Sequence, residues 1–518
     1  MSEILIYKEF FEGLNKDNYF GRLGKCFKTI NEYYFLDTGT GKIAKVQENV
    51  FRVLNELFET NCFESLLVLD MEAEAIADAL EVIKANVEKE NILSAPPVHS
   101  MVGDMTLNLE SLLSNSIKSI TLEVTQECNL RCKYCIYNPQ NPEYRDFEKK
   151  YMSIETAKQA IDFLKSNTNK NMEEKLFIGY YGGEPLLNFP LIRQSIEYAK
   201  SVFTERALFF SITTNGILLN EEICDFVVEN DISMTISLDG PEELHDTNRI
   251  TKDGKGSYES VVKGIKTLIN SFEKREKEPK FMINVVCGGP DYDVKYDLIQ
   301  KYFTDQQWLS EGVQILCSGV NRGPRKMHYV LPQSKEEKCY HQQLDDVLAS
   351  WSNQLKEEYG WDKTNFADHT LENDLIKIHR RLIVDEPHDF YHVNGCCTPG
   401  HQKAYITVAG DILPCERVGS YLPSLGHVIG GFDIPKVKKY YVDDYIKGSI
   451  ESCKNCWAIH LCGLCYVNCY DEQGMVMPYK HMLCIDERAK VEASLVRYHN
   501  IYENSPEKLN ELNDAIVI

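Results

Sequence analysis

Three cysteines, Cys128, Cys132 and Cys135, stand in CNLRCKYC with the spacing C-x3-C-x2-C. A structural zinc site closes on four ligands, and no fourth Cys or His lies nearby. Three thiolates instead suit a four-iron four-sulfur cluster whose last iron has no protein ligand. Downstream come YYGGEP (180–185), TTNG (213–216), SLDG (237–240) and HDTNR (245–249). Gly182 and Gly183 would let backbone carbonyls approach an ammonium, and Glu184 would accept hydrogen bonds from it. Thr214, Asn215, Ser237 and Asp239 lie in polar segments suited to a ribose diol.

Elements that could place these residues follow a regular rhythm from about residue 117. The runs SITLEVT, LFIGYY, LFFSIT, SMTISL, KFMINVV and GVQILC read as six strands. Helical patterns alternate with them: one opened by Ser153, then others near 190–203, 220–229 and 257–271. Such alternation predicts a parallel sheet, open or closed into a partial barrel. Chemistry in these sheets sits beyond the carboxyl ends of the strands, where every polar motif above falls.

The first ~95 residues read as a separate winged-helix-like module. EYYFLD (32–37) and KIAKVQ (42–47) form a hairpin through TGTG, followed by two helical patterns. The linker SAPPVHSMVGD (94–104) breaks the pattern with prolines and a glycine. Residues 331–391 read as a charged helical bridge. Residues 392–490 are loop-rich and cysteine-dense, a segment in need of staples, and 491–518 read as a C-terminal helix and polar tail. The partial barrel takes 115–330.

With 518 residues, 43% apolar and 26% charged, the chain has the composition of a folded soluble protein of several domains. A net charge of −22 argues against nucleic-acid binding through the phosphate backbone. The N-terminal residues carry acids and no long apolar run, and no stretch is long enough to span a membrane. A cytoplasmic enzyme without nucleic-acid or membrane partners is expected. Of 18 cysteines, twelve lie in two regions. In a reducing compartment these serve metals or catalysis rather than disulfides. Cys26, Cys62, Cys224, Cys287, Cys317 and Cys339 are scattered singly and read as buried, inert thiols.

The cysteine triplet, with the aromatic Tyr134 before its last member, resembles the radical SAM superfamily. The GGEP, TTNG, SLDG and Arg249 motifs follow in that family's order. The resemblance implies an α/β fold built on a partial (β/α)6 TIM-like barrel. It assigns Gly182, Gly183 and Glu184 to the amino group of S-adenosylmethionine (SAM) and Arg249 to its carboxylate. It also implies that SAM chelates the open iron. One electron then cleaves its sulfonium bond, and the 5′-deoxyadenosyl radical abstracts a substrate hydrogen.

CTPGHQKAYITVAGDILPC (397–415), CKNCWAIHLCGLCYVNC (453–469) and Cys484 resemble the SPASM extension, which holds two auxiliary four-iron four-sulfur clusters. The resemblance gives Cys453, Cys456, Cys462 and Cys484 to the outer cluster, and Cys397 and Cys415 to the inner one. Tyr466 stands where the family has a further cysteine, so Cys465, Cys469 or both would complete the inner cluster, beside Cys396. Glu416 matches the position of an acidic proton acceptor in sulfatase-maturing relatives. Three clusters and SAM are therefore the expected cofactors, with a low-potential donor such as flavodoxin or ferredoxin.

The N-terminal module resembles the RiPP recognition element, which grips a precursor's leader by adding a strand to its sheet. Together these resemblances imply a maturase that installs cysteine thioether crosslinks in a ribosomally made precursor peptide. The alternatives are a sulfatase-maturing formylglycine former, a carbon–carbon crosslinking enzyme, and a metal-stapled peptide-binding protein without catalysis.

Overall fold

The computed structural model describes residues 2–15, 19–137, 139, 141, 144–169, 175–287, 292–310, 312–319, 366–393 and 395–513. All six apolar runs form strands that pair in chain order. With β1–β3 in the N-terminal module, they are β4 (Ser119–Thr125), β5 (Leu176–Gly182), β6 (Leu208–Thr214), β7 (Ser233–Ser237), β8 (Met282–Cys287) and β9 (Gln314–Gly319). Every neighbouring pair is parallel. Alternation aims Ile120, Leu122 and Val124 of β4 into the main core, where none is exposed. The intervening helices cover it with amphipathic faces. Ser153 Oγ caps the helix Ile154–Asn167 by accepting from Thr156 N at 3.1 Å. Asn220 caps Glu221–Glu229 in the same manner, at 2.9 Å from Ile223 N.

The cysteine-dense segment is more closely joined to this sheet than its composition implies. Its strand β10 (Lys403–Ile406) pairs in parallel with β4, Tyr405 opposite Thr121. Strands β11 (Asp411–Leu413), β12 (Gly426–His427) and β13 (Gly431–Phe432) extend the sheet antiparallel, to ten strands. Ala404, Ile406, Ile412 and Leu425 belong to the main core. The segment therefore has apolar support as well as its cysteines.

In the N-terminal module, β1 (Gly24–Lys28), β2 (Tyr33–Asp37) and β3 (Ile43–Val46) form an antiparallel sheet in that order. The first of these strands, GKCFK, was not anticipated. Helices Glu48–Thr60 and Ala73–Glu90 pack with the sheet around a core of their own, including Phe35, Leu54, Leu57 and Leu80. The other face of the sheet, with Phe27, Tyr34 and Leu36, rests against Val491 and Leu495 of the helix Met477–Asn504. Glu503 fastens the contact, accepting from Thr29 Oγ1 at 2.7 Å and Tyr34 Oη at 3.0 Å.

One sequence expectation is extended and another corrected. The polar tail beyond 500 docks through Leu509 and Leu512, both buried against Leu375 and Ile376. Cys62 is exposed, while Cys26 and Cys224 are buried and Cys317 is half-buried. Residues 320–330 of the expected barrel, 331–365 of the bridge and with them Cys339 lie outside the described residues; the helix Phe366–His379 is within them. No described helix is long and apolar enough to cross a membrane.

Candidate functional site

The chain leaves β4 at Thr125 and reaches Cys128 through a segment pressed against the GGE turn. Gly183 N donates to Thr125 O at 2.8 Å, and Glu184 N to Glu127 O at 2.9 Å. A Cβ on Gly182 would meet Thr125 O at 2.2 Å, and one on Gly183 would meet Glu127 O at 2.1 Å. The glycines thus serve a close approach to the chain that carries Cys128. That requirement stands whether or not a ligand's ammonium is present.

Cys128, Cys132 and Cys135 share one loop. Burial pushes the Cys128 thiol up to about 12, with Glu184 and the other two cysteines adding to it. Burial takes Cys132 to about 11, with Arg249 pulling the other way. As thiolates, three cysteines in this desolvated loop would repel one another and call for cationic compensation. Among the described residues, no three Cys, His, Asp or Glu are gathered tightly enough for a single metal ion. The donor set fits a larger iron–sulfur cluster with one iron left free of protein.

Glu184 ties the ends of β5 and β6 together. Its Oε1 accepts from Leu186 N at 3.0 Å and Thr214 Oγ1 at 2.7 Å, and its Oε2 from Asn215 N at 2.8 Å. Only 1% exposed, the carboxyl is pushed up to about 7 by burial against the pull of those bonds. Asn215 Nδ2 reaches back to Asn129 Oδ1 at 2.7 Å, beside Cys128. Ser237 closes β7 nearby in the sheet order.

After β7, Asp239 Oδ2 accepts from Arg249 Nε at 2.9 Å and from Tyr134 Oη. Asp239 Oδ1 accepts from Val286 N at 3.0 Å. The guanidinium lies 5.3 Å from the Tyr134 ring centroid. Burial opposes its charge, but Asp239, Tyr134 and Cys132 together outweigh that and hold the arginine's pKa up. His245, absent from the predicted site, braces this pair. Its Nδ1 accepts from Asp239 N at 3.3 Å, and its Nε2 meets Ser257 Oγ at 3.0 Å. Ser257 Oγ in turn donates to Arg249 O at 2.7 Å. Burial, then Arg249, lowers the imidazole to about 4.

A second missed group lies between β4, β5 and β10. Glu123 of β4 accepts from Arg145 Nε and, through Oε2, from Val408 N at 3.1 Å. Arg145 covers the Tyr137 ring at 3.6 Å, and Tyr181 stands edge-on to Tyr405 at 6.3 Å. A lone acid within an apolar strand was the signal available for Glu123. Glu416, one-third exposed and 3.7 Å from Arg417 Nε, is within electrostatic reach of Tyr181 and Cys415.

The second cysteine region resolves into two gatherings. Cys453, Cys456, Cys462 and Cys484 line one cavity with Lys480, Glu487 and Arg488. Burial pushes Cys453 to about 11 and Cys462 to about 12. Four thiols around one cavity fit a second cluster. The others collect on Cys465, which is within electrostatic reach of Cys397, Cys415, Cys396 and Cys469. Tyr466 fills its cysteine-like position as a buried ring, its Oη 3.4 Å from Cys397 Sγ. Cys469 is buried between the gatherings, in reach of Cys465, Cys484 and Cys462.

Residues 122–298 match the model of the Radical SAM superfamily, so this chain carries a radical SAM domain. It is 25% identical over 358 residues to the cysteine-type anaerobic sulfatase-maturating enzyme of Clostridium novyi, covering 67% of this chain and 87% of that one. It is 29% identical over 400 residues to the radical SAM cyclopropyl synthase TigE of Paramaledivibacter caminithermalis, covering 74% and 75%. An uncharacterized protein of Methanocaldococcus jannaschii is 38% identical over 151 residues, 29% of this chain. The chain spans about half of that relative's length, 48%. The solved structure of native anSMEcpe with bound AdoMet shares the fold, with TM-score 0.53 and 19% identity over 74% of this chain and 99% of that one.

Proposed function

We propose that the chain is a radical SAM maturase that installs cysteine thioether crosslinks in a ribosomally made precursor peptide. The observation carrying this reading is the convergence, at successive strand ends, of the Cys128–Cys132–Cys135 loop, Glu184 and the Asp239–Arg249 pair. When bound, the first cluster and SAM would supply a 5′-deoxyadenosyl radical for hydrogen abstraction.

The residues then have distinct tasks. Cys128, Cys132 and Cys135 would hold the cluster, and Glu184 and the Gly182–Gly183 backbone the amino group of SAM. Arg249, fixed by Asp239, would face its carboxylate, with Tyr134, Thr214, Asn215 and Ser237 around the nucleoside. Cys453, Cys456, Cys462 and Cys484 would hold an outer auxiliary cluster. Cys397, Cys415 and Cys465, with Cys469 or Cys396 beside them, would hold an inner one. Glu416, between the two regions, would accept the substrate proton. The leader would add a strand to β3, whose outer edge has no partner among the described strands.

A second reading has a specific observation in its favour. The likeness to a sulfatase-maturating enzyme spans 67% of this chain. Formylglycine formation on a protein substrate would use the same radical and the same acid. One experiment separates the two readings. Anaerobically reconstituted protein, SAM and reductant should release 5′-deoxyadenosine, increasingly so with a cysteine-rich precursor peptide. The peptide should lose two hydrogens per crosslink and have no aldehyde for a hydrazide to trap. A trapped aldehyde would assign the second reading, and no 5′-deoxyadenosine would overturn both.

A further inference from the structure

Lys480 is a cation buried at 3% exposure, and no described carboxylate lies within ion-pair distance of its ammonium. Its Nζ donates to Ser449 Oγ and lies 4.1 Å from the Tyr445 ring centroid. Burying an ammonium with so little compensation carries a desolvation cost. Its placement shows what would offset that cost.

Tyr445, Ser449 and Cys453 stand four residues apart on the helix Asp444–Cys453, so they share one face. Lys480 and Cys484 have the same spacing on the helix Met477–Asn504. The two faces meet, and Lys480 lines the same cavity as Cys453, Cys456, Cys462 and Cys484. Glu487 also lines it, but its Oε1 accepts from Gly463 N. Lys480 also reaches Cys469 and Cys396 electrostatically, so it stands between the two cysteine gatherings.

We propose that Lys480 is a positioning residue for charge: it biases the outer auxiliary cluster toward its reduced state. The inference rests on the reading that those four cysteines hold an iron–sulfur cluster. One-electron reduction adds a negative charge to the cluster, and a fixed, buried ammonium beside it favours the product.

Potentiometric titration of the reconstituted holoenzyme, followed by EPR, tests this, with iron and sulfide counted on every sample. K480M and K480Q should lower the outer cluster's reduction equilibrium tenfold or more, about 59 mV for one electron. K480R should titrate like the wild type. An equal shift in all three variants, or none in the neutral ones, overturns the inference. Should the neutral variants fail to load the outer cluster while K480R loads it, the requirement for charge is supported. Failure of all three marks a packing role and overturns it. A wild-type protein whose iron content leaves no room for an outer cluster overturns the underlying reading instead.

Discussion

Arg249 and Asp239 form an ion pair at 2.9 Å whose side chains are 6% and 4% exposed. Neither has a solvent shell to fall back on, so each depends on the other. D239N would leave a buried guanidinium without its counter-charge. Destabilisation of about 3 kcal/mol or more is expected, with weaker SAM binding. Urea unfolding and equilibrium dialysis with SAM would check both, and a variant as stable as the wild type would contradict the pairing.

G183A should cost the first iron site before it costs the fold. The added methyl would meet Glu127 O at 2.1 Å, forcing the segment before Cys128 away from the turn. Loss of the SAM-responsive EPR signal, with signals from the second cysteine region retained, is the expected result.

C132A and C484A should separate the cysteine groups. C132A is expected to abolish 5′-deoxyadenosine release. C484A, which removes one wall of the outer cavity, should lose one cluster's share of iron and still cleave SAM. Iron and sulfide analysis beside chromatography of the nucleoside measures both.

His245 should make the site sensitive to acid. Its folded pKa, about 4, lies below its ordinary 6.5. Between those values the unfolded chain binds more protons, so stability rises with pH. The contribution is complete above pH 6.5 and is lost as pH falls toward 4. Between pH 7.5 and 5.5 the loss is about 1 kcal/mol. H245N, which keeps an acceptor for Asp239 N, should flatten that share of the pH dependence in urea titrations.

Leader binding at the N-terminal sheet predicts amide protection in Ile43–Val46 when precursor peptide is added. Hydrogen exchange would show it there; protection confined to Tyr33–Asp37 would place the peptide elsewhere.

The strands that carry the first site were legible because each is an apolar run ending in a polar motif, and Ser153 announced its helix. β10 was not, because KAYI is short and its partner, β4, lies far upstream in the chain. Gly182 and Gly183 stood out, but the neighbour they approach is set by packing. His245 lay in a motif noted for Arg249, and only the fold turns its ring toward Asp239. Lys480 carried no signal, since its burial depends on two helices meeting. For Cys62, a general preference of thiols for the interior gave way to an exposed loop.

The parallel pairing of β10 with β4 makes the spacing between the two cysteine regions a matter of a hydrogen-bond ladder. Any gap that an electron or a substrate must cross there is therefore gauged by strand register, in whole-residue steps. A one-residue slip of β10 would turn its side chains to the opposite face and retune the gap at once.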